Sequence, residues 1–109
     1  MTQPISRSIL SAAALLLAVS PLSVMAADGA SLYKTKTCSA CHGKDAKTPL
    51  MPNYPKIAGQ SSAYTLQQMK DIKSGARNNG QTASMKGVMH LVTDEEMQVL
   101  ADYLATMTP

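Results

Sequence analysis

The stretch Cys38-Ser39-Ala40-Cys41-His42 decides how the rest of this chain is interpreted. It contains both cysteines of the sequence and one of its two histidines. Thiols three positions apart lie along one edge of a helical turn, and the histidine places an imidazole beside that edge. The C-x-x-C-H spacing is typical of c-type haem attachment, in which each thiol adds to one haem vinyl group. The imidazole of His42 is then the proximal ligand of the iron.

Two other kinds of site also use a C-x-x-C pair. The first is a thioredoxin-like redox pair or a structural disulfide. A thioredoxin-like site normally lies in a βαβ unit, and the chain has no convincing strand pattern. A structural zinc site is the second, and it needs four ligands. Only His90 remains to join the two cysteines and His42. The sequence therefore favours haem attachment over both alternatives.

The first 26 residues have the three-part layout of a cleaved secretory signal peptide. Arg7 gives a basic start, residues 9–19 form an apolar run, and Val24-Met25-Ala26 offers small or tolerated residues before a cut. The apolar run is too short to span a bilayer comfortably, and no later stretch is apolar enough to cross one. We expect cleavage after Ala26, with Ala27 as an alternative, and a mature soluble domain over 27–109.

The composition limits the core that this domain can build. A domain of roughly 80 residues has a marginal side-chain core, and the chain contains no tryptophan or phenylalanine. Small exported domains often compensate with several disulfides, which two cysteines cannot provide. A haem can compensate instead, because it brings a large apolar surface around which side chains pack. The net charge of +3, which includes Arg7, is too weak to indicate nucleic-acid binding.

The remaining sequence predicts helices joined by loops. A first helix is expected over 28–37, with Asp28 as its cap. A loop over 43–60 contains three prolines and two glycines and is expected to wrap the proximal side of the haem. A second helix runs from a cap at Ser61 or Ser62 to about Ser74 and stops at Gly75. Its expected apolar face consists of Ala63, Leu66, Met69 and Ile72.

The last helix has the clearest signals. Thr93-Asp94-Glu95-Glu96 is a capping box in which the threonine hydroxyl and the last glutamate cap each other's backbone amides. Apolar residues then follow at helical spacing: Met97, Leu100, Ala101, Leu104 and Met107. Between the second and last helices, 76–84 is a polar segment with a strong turn signal. A short helical turn is expected over 85–91.

With this motif and this order of helices, the chain resembles the class I c-type cytochromes, and among them the small bacterial monohaem proteins and single domains of bacterial dihaem cytochromes. The likeness covers nearly all of the expected mature chain. Besides the attachment motif it rests on Pro55-Lys56-Ile57-Ala58-Gly59-Gln60, Tyr64, Gly75-Ala76-Arg77, a methionine in the following loop, the capping box, and Leu100-Ala101-Asp102-Tyr103-Leu104. The resemblance implies an all-α, small cytochrome c fold of about four helices around one haem c bound covalently through Cys38 and Cys41.

The resemblance also implies a methionine after Arg77 as the sixth iron ligand. Met85 and Met89 are the candidates, and the usual spacing between this ligand and the cap of the last helix favours Met85. Methionine is also a flexible core residue, and the chain has eight, so Met89 stays as the alternative. His90 ranks last, because a lone histidine beside apolar residues is more often partly exposed and structural.

Three further residues are expected around the haem. A ligating imidazole usually donates its other N–H to a backbone carbonyl, and the resemblance assigns that carbonyl to Pro55 rather than Pro49 or Pro52. Tyr64 and Arg77 are candidate hydrogen-bond donors to the haem propionates. A solvated loop charge is the alternative for Arg77.

These residues indicate an electron carrier rather than an enzyme. With His42 and a methionine on the iron, no position is left for a substrate, and thioether ligation raises the reduction potential. The expected function is one-electron transfer between redox partner proteins in the periplasm, by a monomer or weak dimer. The alternatives are an electron-accepting subunit of a larger exported oxidoreductase, an open-site gas sensor or peroxidase, and a thiol–disulfide protein without haem.

Four lysines flank the attachment motif: Lys34, Lys36, Lys44 and Lys47. If they surround an exposed haem edge, they steer a partner with an acidic docking surface, because complementary charge raises association rates. Flanking lysines are more commonly only solvated, which is the alternative. The absence of a basic stripe or arginine cluster disfavours a nucleic-acid partner.

Overall fold

The computed structural model describes residues 28–109, together with the isolated Thr2 and Pro4. The described part contains no strand and five helices: α1 (Gly29–Thr35), α2 (Cys38–His42), α3 (Ser62–Ser74), α4 (Thr82–Met89) and α5 (Asp94–Thr106). The predicted all-α fold is confirmed, with five helices instead of about four because the attachment motif forms a helix of its own. None of the described helices has the length and apolar character needed to cross a membrane. The predicted signal peptide and its cleavage site lie outside the described residues.

Side-chain caps fix the starts of three helices, as the sequence predicts. Asp28 accepts a hydrogen bond from a first-turn amide of α1, and Ser61 does the same for α3, both at 3.3 Å. At α5, the amide of Thr93 donates to the Glu96 carboxylate and the amide of Glu96 donates to the Thr93 hydroxyl. Each such cap stabilises its helix by about 1 kcal/mol. At the other end of α3, Gly75 takes the left-handed conformation expected of a helix stop.

The helix predicted over 28–37 ends earlier in the structure. α1 ends at Thr35, and Thr37 has a φ of 65° before α2 begins at Cys38. This left-handed conformation is unfavourable for a β-branched residue, so the residue types of this stretch do not predict a break. The break turns the chain between the two helices, and α2 therefore leaves the axis of α1.

The core lies where α5 meets α1 and α3, and α3 also packs against α4. The largest fully buried side chains are Tyr33, Met89, Met97, Leu100 and Val92. On α3, Met69 and Ile72 are buried as expected, whereas Ala63 is exposed and Thr65 is buried. Positions 65, 69 and 72 are four and three residues apart and share one helix face, which explains the difference.

α4 begins three residues earlier than the helical turn expected over 85–91. The Thr82 hydroxyl donates to the Asn79 carbonyl at the start of the helix. Met85 and Met89 lie one turn apart on the same side. Met89 is fully buried in the core, and Met85 is partly buried at its edge.

Two lysines hold the connection between α4 and α5. Lys36, the residue after α1, donates from Nζ to the Leu91 carbonyl at 2.8 Å and pairs with Glu96 at 3.4 Å. Lys73 of α3 donates from Nζ to the Val92 carbonyl. Carbonyls at and just beyond a helix C-terminus carry partial negative charge, so cations are favourable there. The segment just after α4 is therefore tied to α3 and to the residue that follows α1.

α1 and α5 approach closely at Gly29. A Cβ atom at this position would lie 2.9 Å from Cγ of Tyr103 and 3.3 Å from the Val99 carbonyl oxygen. Only glycine permits the backbone of α1 to come this near. The same pair of helices brings the rings of Tyr33 and Tyr103 to a centroid distance of 6.0 Å.

We expect Gly29→Ala to lower the free energy of unfolding by about 1–3 kcal/mol, because the added methyl group pushes α5 away from α1. Gly87→Ala is the matched control. Gly87 lies in α4, and a Cβ atom there meets nothing within 4 Å. Alanine in place of glycine in a helix stabilises by about 0.5–1 kcal/mol. Urea unfolding of both variants measures the difference, and equal effects would contradict a tight α1–α5 contact.

Candidate functional site

The single turn of α2 brings Cys38, Cys41 and His42 together. Both cysteines are free thiols and partly buried, and His42 is buried, with 7% of its surface exposed. Gly43 ends the helix with a φ of 87°, a conformation that glycine adopts without strain. The three side chains are therefore placed by one short helix between two residues with positive φ, Thr37 and Gly43.

The imidazole of His42 is held by the loop that follows α2. Its Nδ1 lies 2.9 Å from the carbonyl oxygen of Pro55, the contact expected at this proline. A carbonyl only accepts, so Nδ1 carries the proton and donates. In the neutral ring the lone pair is then on Nε2, which is left free to bind a metal.

Backbone hydrogen bonds fold the loop 43–61 back onto α2. The Ala46 carbonyl accepts from the amides of residues 57 and 58, at 2.8 and 3.1 Å, and Ala46 itself is fully buried. The amide of Leu50 donates to the Cys41 carbonyl at 2.9 Å. This folding brings the proline-rich part of the loop to His42, which agrees with a long loop that has a role of its own.

Two side chains brace the start of this loop. The Tyr33 hydroxyl donates to the Gly43 carbonyl at 2.6 Å, and burial raises the pKa of Tyr33, so the hydroxyl keeps its proton. Asp45 accepts from the amides of Lys47 and Thr48 at 3.0 and 2.8 Å. The bond from the Lys47 amide, followed by one from the Thr48 hydroxyl, lowers the pKa of the Asp45 carboxyl to about 2.

The environment of Cys38 argues against thiol–disulfide exchange. Burial raises the pKa of its thiol to about 11, so the thiol is protonated at neutral pH. Exchange proteins work through a thiolate whose pKa is lowered by its surroundings. Cys38 therefore does not supply the acidic thiol that the thioredoxin-like alternative needs.

The three candidates for a second axial ligand differ in burial. Met89 is 1% exposed, so core side chains already enclose its sulfur. Met85 packs against the edge of the core and keeps part of its surface outside it. His90 follows α4 and is exposed.

The two candidate propionate donors both lie at the surface. Tyr64 is in the first turn of α3 and is 54% exposed. The Arg77 guanidinium donates to the Gln68 side chain at 3.1 Å. Arg77 also lines a small surface cavity of about 100 Å³ with Thr82 and Lys86. Arg77 is thus engaged by α3 and lies beside α4.

One buried polar residue, Thr65, was not identified from the sequence. Its Oγ1 is closed off from solvent and has no hydrogen-bond partner among the described residues. The signal was present, because Thr65 stands at helical spacing from Met69 and Ile72 and therefore belongs to the apolar face of α3.

Comparison with known proteins gives a family match over most of the chain. Residues 26–108 match the family model described as Cytochrome c. Cytochrome c4 of Pseudomonas aeruginosa is 41% identical over 73 residues, which cover 67% of this chain and 34% of that protein. Cytochrome c-553 of Nitratidesulfovibrio vulgaris is 35% identical over 83 residues, covering 76% of this chain and 79% of that protein.

A third relative and a solved structure agree with this match. The thiosulfate dehydrogenase electron acceptor of Stutzerimonas stutzeri is 34% identical over 102 residues, covering 87% of this chain and 44% of that protein. The crystal structure of reduced cytochrome c4 from Pseudomonas stutzeri is similar with a TM-score of 0.65 and 27% identity, over 73% of this chain and 46% of that chain. This chain spans 34–39% of the length of three cytochrome c4 relatives.

Proposed function

Because the chain belongs to the cytochrome c family, whose members carry covalently bound haem c, we propose that it transfers single electrons between redox partner proteins through a haem ligated by His42 and Met85. The observation that carries the proposal is the His42–Pro55 hydrogen bond, which leaves Nε2 of the imidazole free beside two free thiols on one helical turn. The predicted signal peptide and the haem chemistry support export to the periplasm. We propose a monomer or weak dimer there.

The residues of the site fit a covalently held haem. Cys38 and Cys41 are free, partly accessible and one helical turn apart, so both sulfurs can bond to one edge of a flat group. His42 cannot rotate away, because Pro55 holds its Nδ1. The haem iron supplies the one-electron couple, while the protein supplies ligation, burial and a docking surface.

Met85 is the better candidate for the second axial position. Its partial exposure leaves it able to reach a bound group, whereas Met89 is already packed into the core. Thioether ligation favours ferrous iron and raises the reduction potential. Two protein ligands also leave no position for a substrate, which supports a carrier rather than a catalyst.

A second candidate function is that of the electron-accepting subunit of a larger oxidoreductase. It is favoured by the similarity to a thiosulfate dehydrogenase electron acceptor, which extends over most of this chain. Purification of the native protein from its own cells, under conditions that preserve complexes, tests this candidate. Stoichiometric co-purification with a larger catalytic protein would support it.

Exposed lysines beside α2 support an acidic redox partner. Lys34 and Lys44 line one groove together with Ser39 of α2, and Lys47 is exposed in the following loop. Lys36 does not belong to this group, because its ammonium is bound by the Leu91 carbonyl and a carboxylate of α5. The proposed steering surface is therefore formed by Lys34, Lys44 and Lys47.

We expect Lys34→Gln combined with Lys44→Gln to slow electron exchange with an acidic redox protein at low ionic strength, because the variant attracts that partner less. Stopped-flow absorbance at increasing salt measures the rate, and the difference from the parent should shrink as screening grows. Lys70→Gln removes a single charge, from an exposed residue of α3 that does not line the groove, and serves as the control for each of the two groove lysines.

Two results would contradict different parts of the proposal. If the parent and both lysine variants exchange electrons at the same rate, with no dependence on salt, the steering role of the lysine surface is rejected but the electron-carrier function is not. A protein that contains intact six-coordinate haem, yet exchanges electrons with no redox partner or electrode, would reject the electron-carrier function itself.

A further inference from the structure

The end of α5 holds the loop that carries Pro55. The Gly59 amide donates to the Leu104 carbonyl in the last turn of α5 at 2.9 Å. Pro109, which follows α5, lies against the same glycine: a Cβ atom at Gly59 would be 2.5, 2.9 and 3.0 Å from three atoms of the proline ring. The φ of Gly59 is 74°, which glycine adopts without strain. This contact therefore requires glycine at position 59.

A second set of bonds holds the same segment from its other side. The amides of Ile57 and Ala58 both donate to the carbonyl of Ala46, at 2.8 and 3.1 Å. The side chains of Ile57 and Ala58 pack against the core, and Ala46 is fully buried. Residues 57–59 are therefore fixed between the turn that follows α2 and the end of α5.

This fixed segment begins two residues after Pro55, whose carbonyl accepts the hydrogen bond from Nδ1 of His42 at 2.9 Å. Two peptide units leave that carbonyl little freedom to move relative to residues 57–59. A hydrogen bond of this kind raises the basicity of a ligating imidazole. A more basic ligand stabilises ferric iron and lowers the reduction potential, so the position of the Pro55 carbonyl bears on the iron.

We propose that Gly59 and Pro109 form a latch through which the end of α5 holds the Pro55 carbonyl against His42, and that this latch keeps the reduction potential of the haem down. Both are positioning residues, because they act through Pro55. The inference rests on the function proposed above, with His42 as the proximal ligand. The competing interpretation is a contact that only stabilises the fold, so that loosening it leaves the iron unchanged.

Gly59→Ala opens the latch in the haem-containing protein, because the added methyl group collides with the Pro109 ring. At a fixed solution potential we expect the ratio of reduced to oxidised protein to rise about threefold, a shift of roughly 30 mV by the one-electron relation of about 59 mV per tenfold. In the reduced protein, the Nδ1 proton of His42 should exchange with solvent on the order of tenfold faster, since a looser acceptor opens more often. Potentiometric titration and proton–nitrogen NMR measure the two changes.

Gly80→Ala is the matched control. Gly80 also has a positive φ, of 55°, but no described atom lies within 4 Å of a Cβ atom added there. This variant imposes backbone strain without a collision, and it should leave the potential and the proton exchange at their parent values.

Pro109→Gly completes a double-mutant cycle. Without the proline ring, Gly59→Ala should change the potential and the proton exchange much less than it does in the parent. Pro109→Gly alone releases the latch without straining position 59, and it should move both values in the same direction by a smaller amount. If Gly59→Ala yields no haem protein, the single proline variant decides, and parent values in it would overturn the proposal.

Three other results would also overturn the latch. The first is a Gly59→Ala protein that loses stability but keeps the parent potential and proton exchange. The second is equal shifts in Gly59→Ala and Gly80→Ala, because backbone strain would then be the cause. The third is an equal effect of Gly59→Ala with and without Pro109.

The same NMR spectra separate failure of the latch from failure of the proposed function. Ring protons of a histidine bound to haem iron are shifted strongly to high field by the haem ring current. A parent protein that lacks these signals from His42 would reject the proposed ligation, and the latch with it. An iron-bound His42 whose potential and proton exchange do not respond to the variants would reject the latch alone.

Discussion

Replacing Cys41 with alanine is expected to leave the protein with a single covalent link to haem, or with no haem. In the parent protein, Cys38 and Cys41 each form a thioether, since both are free thiols on the one turn of α2. The mature mass should therefore equal that of the processed polypeptide plus one haem. Intact-protein mass spectrometry measures this, and extraction with acid and organic solvent should leave the haem on the parent.

Ser39→Ala is the control for this experiment. Ser39 lies in the same helix between the two cysteines and supplies no sulfur. This variant should retain the mass and spectrum of the parent. A parent protein whose mass lacks the haem, or whose haem is extracted by acid and solvent, would reject covalent attachment at these two positions.

Met85→Ala should have the largest effect on the iron. We expect the variant to lose the weak red charge-transfer band of methionine–haem ligation and to have a lower midpoint potential, because water or a stray imidazole stabilises ferric iron better than a thioether does. The iron should also become able to bind carbon monoxide or cyanide. Absorbance spectroscopy with and without these ligands, together with potentiometric titration, measures all three changes.

Met89→Ala separates loss of a ligand from loss of packing. Met89 is 1% exposed, so its truncation should lower the free energy of unfolding by about 2–5 kcal/mol and leave the spectrum unchanged. If the two variants behave the opposite way round, Met89 is the ligand. If neither variant alters the spectrum, the sixth position of the iron is either occupied by His90 or open.

Local signals in the sequence predict much of this fold. Asp28, Ser61 and Thr93 cap helices and Gly75 ends one, because each acts through backbone groups only a few residues away. The attachment motif is equally local, since its five residues are adjacent. The resemblance to c-type cytochromes and the expectation of covalently bound haem c are confirmed by the family match.

Features that depend on distant parts of the chain were not predictable in the same way. The left-handed turn at Thr37 opposes the preference of its residue type, so surrounding packing must impose it. The burial of Thr65 and the exposure of Ala63 depend on which face of α3 meets α5. The choice between Met85 and Met89 depends on the same kind of contact, because both have the helical spacing of a core residue.

The bonds from Lys36 and Lys73 to the carbonyls after α4 have a consequence for how the molecule opens. Because these bonds come from Lys73 in α3 and from Lys36 just after α1, the end of α4 can leave the core only if both break. Local opening free energies in a protein depend on how many contacts a segment must give up. α4 should therefore open together with its neighbours in a rare cooperative event rather than fray alone. With Met85 as the ligand, as proposed, the two ammonium groups would prolong the time for which its sulfur stays on the iron, and they would protect the sixth coordination position kinetically without touching it.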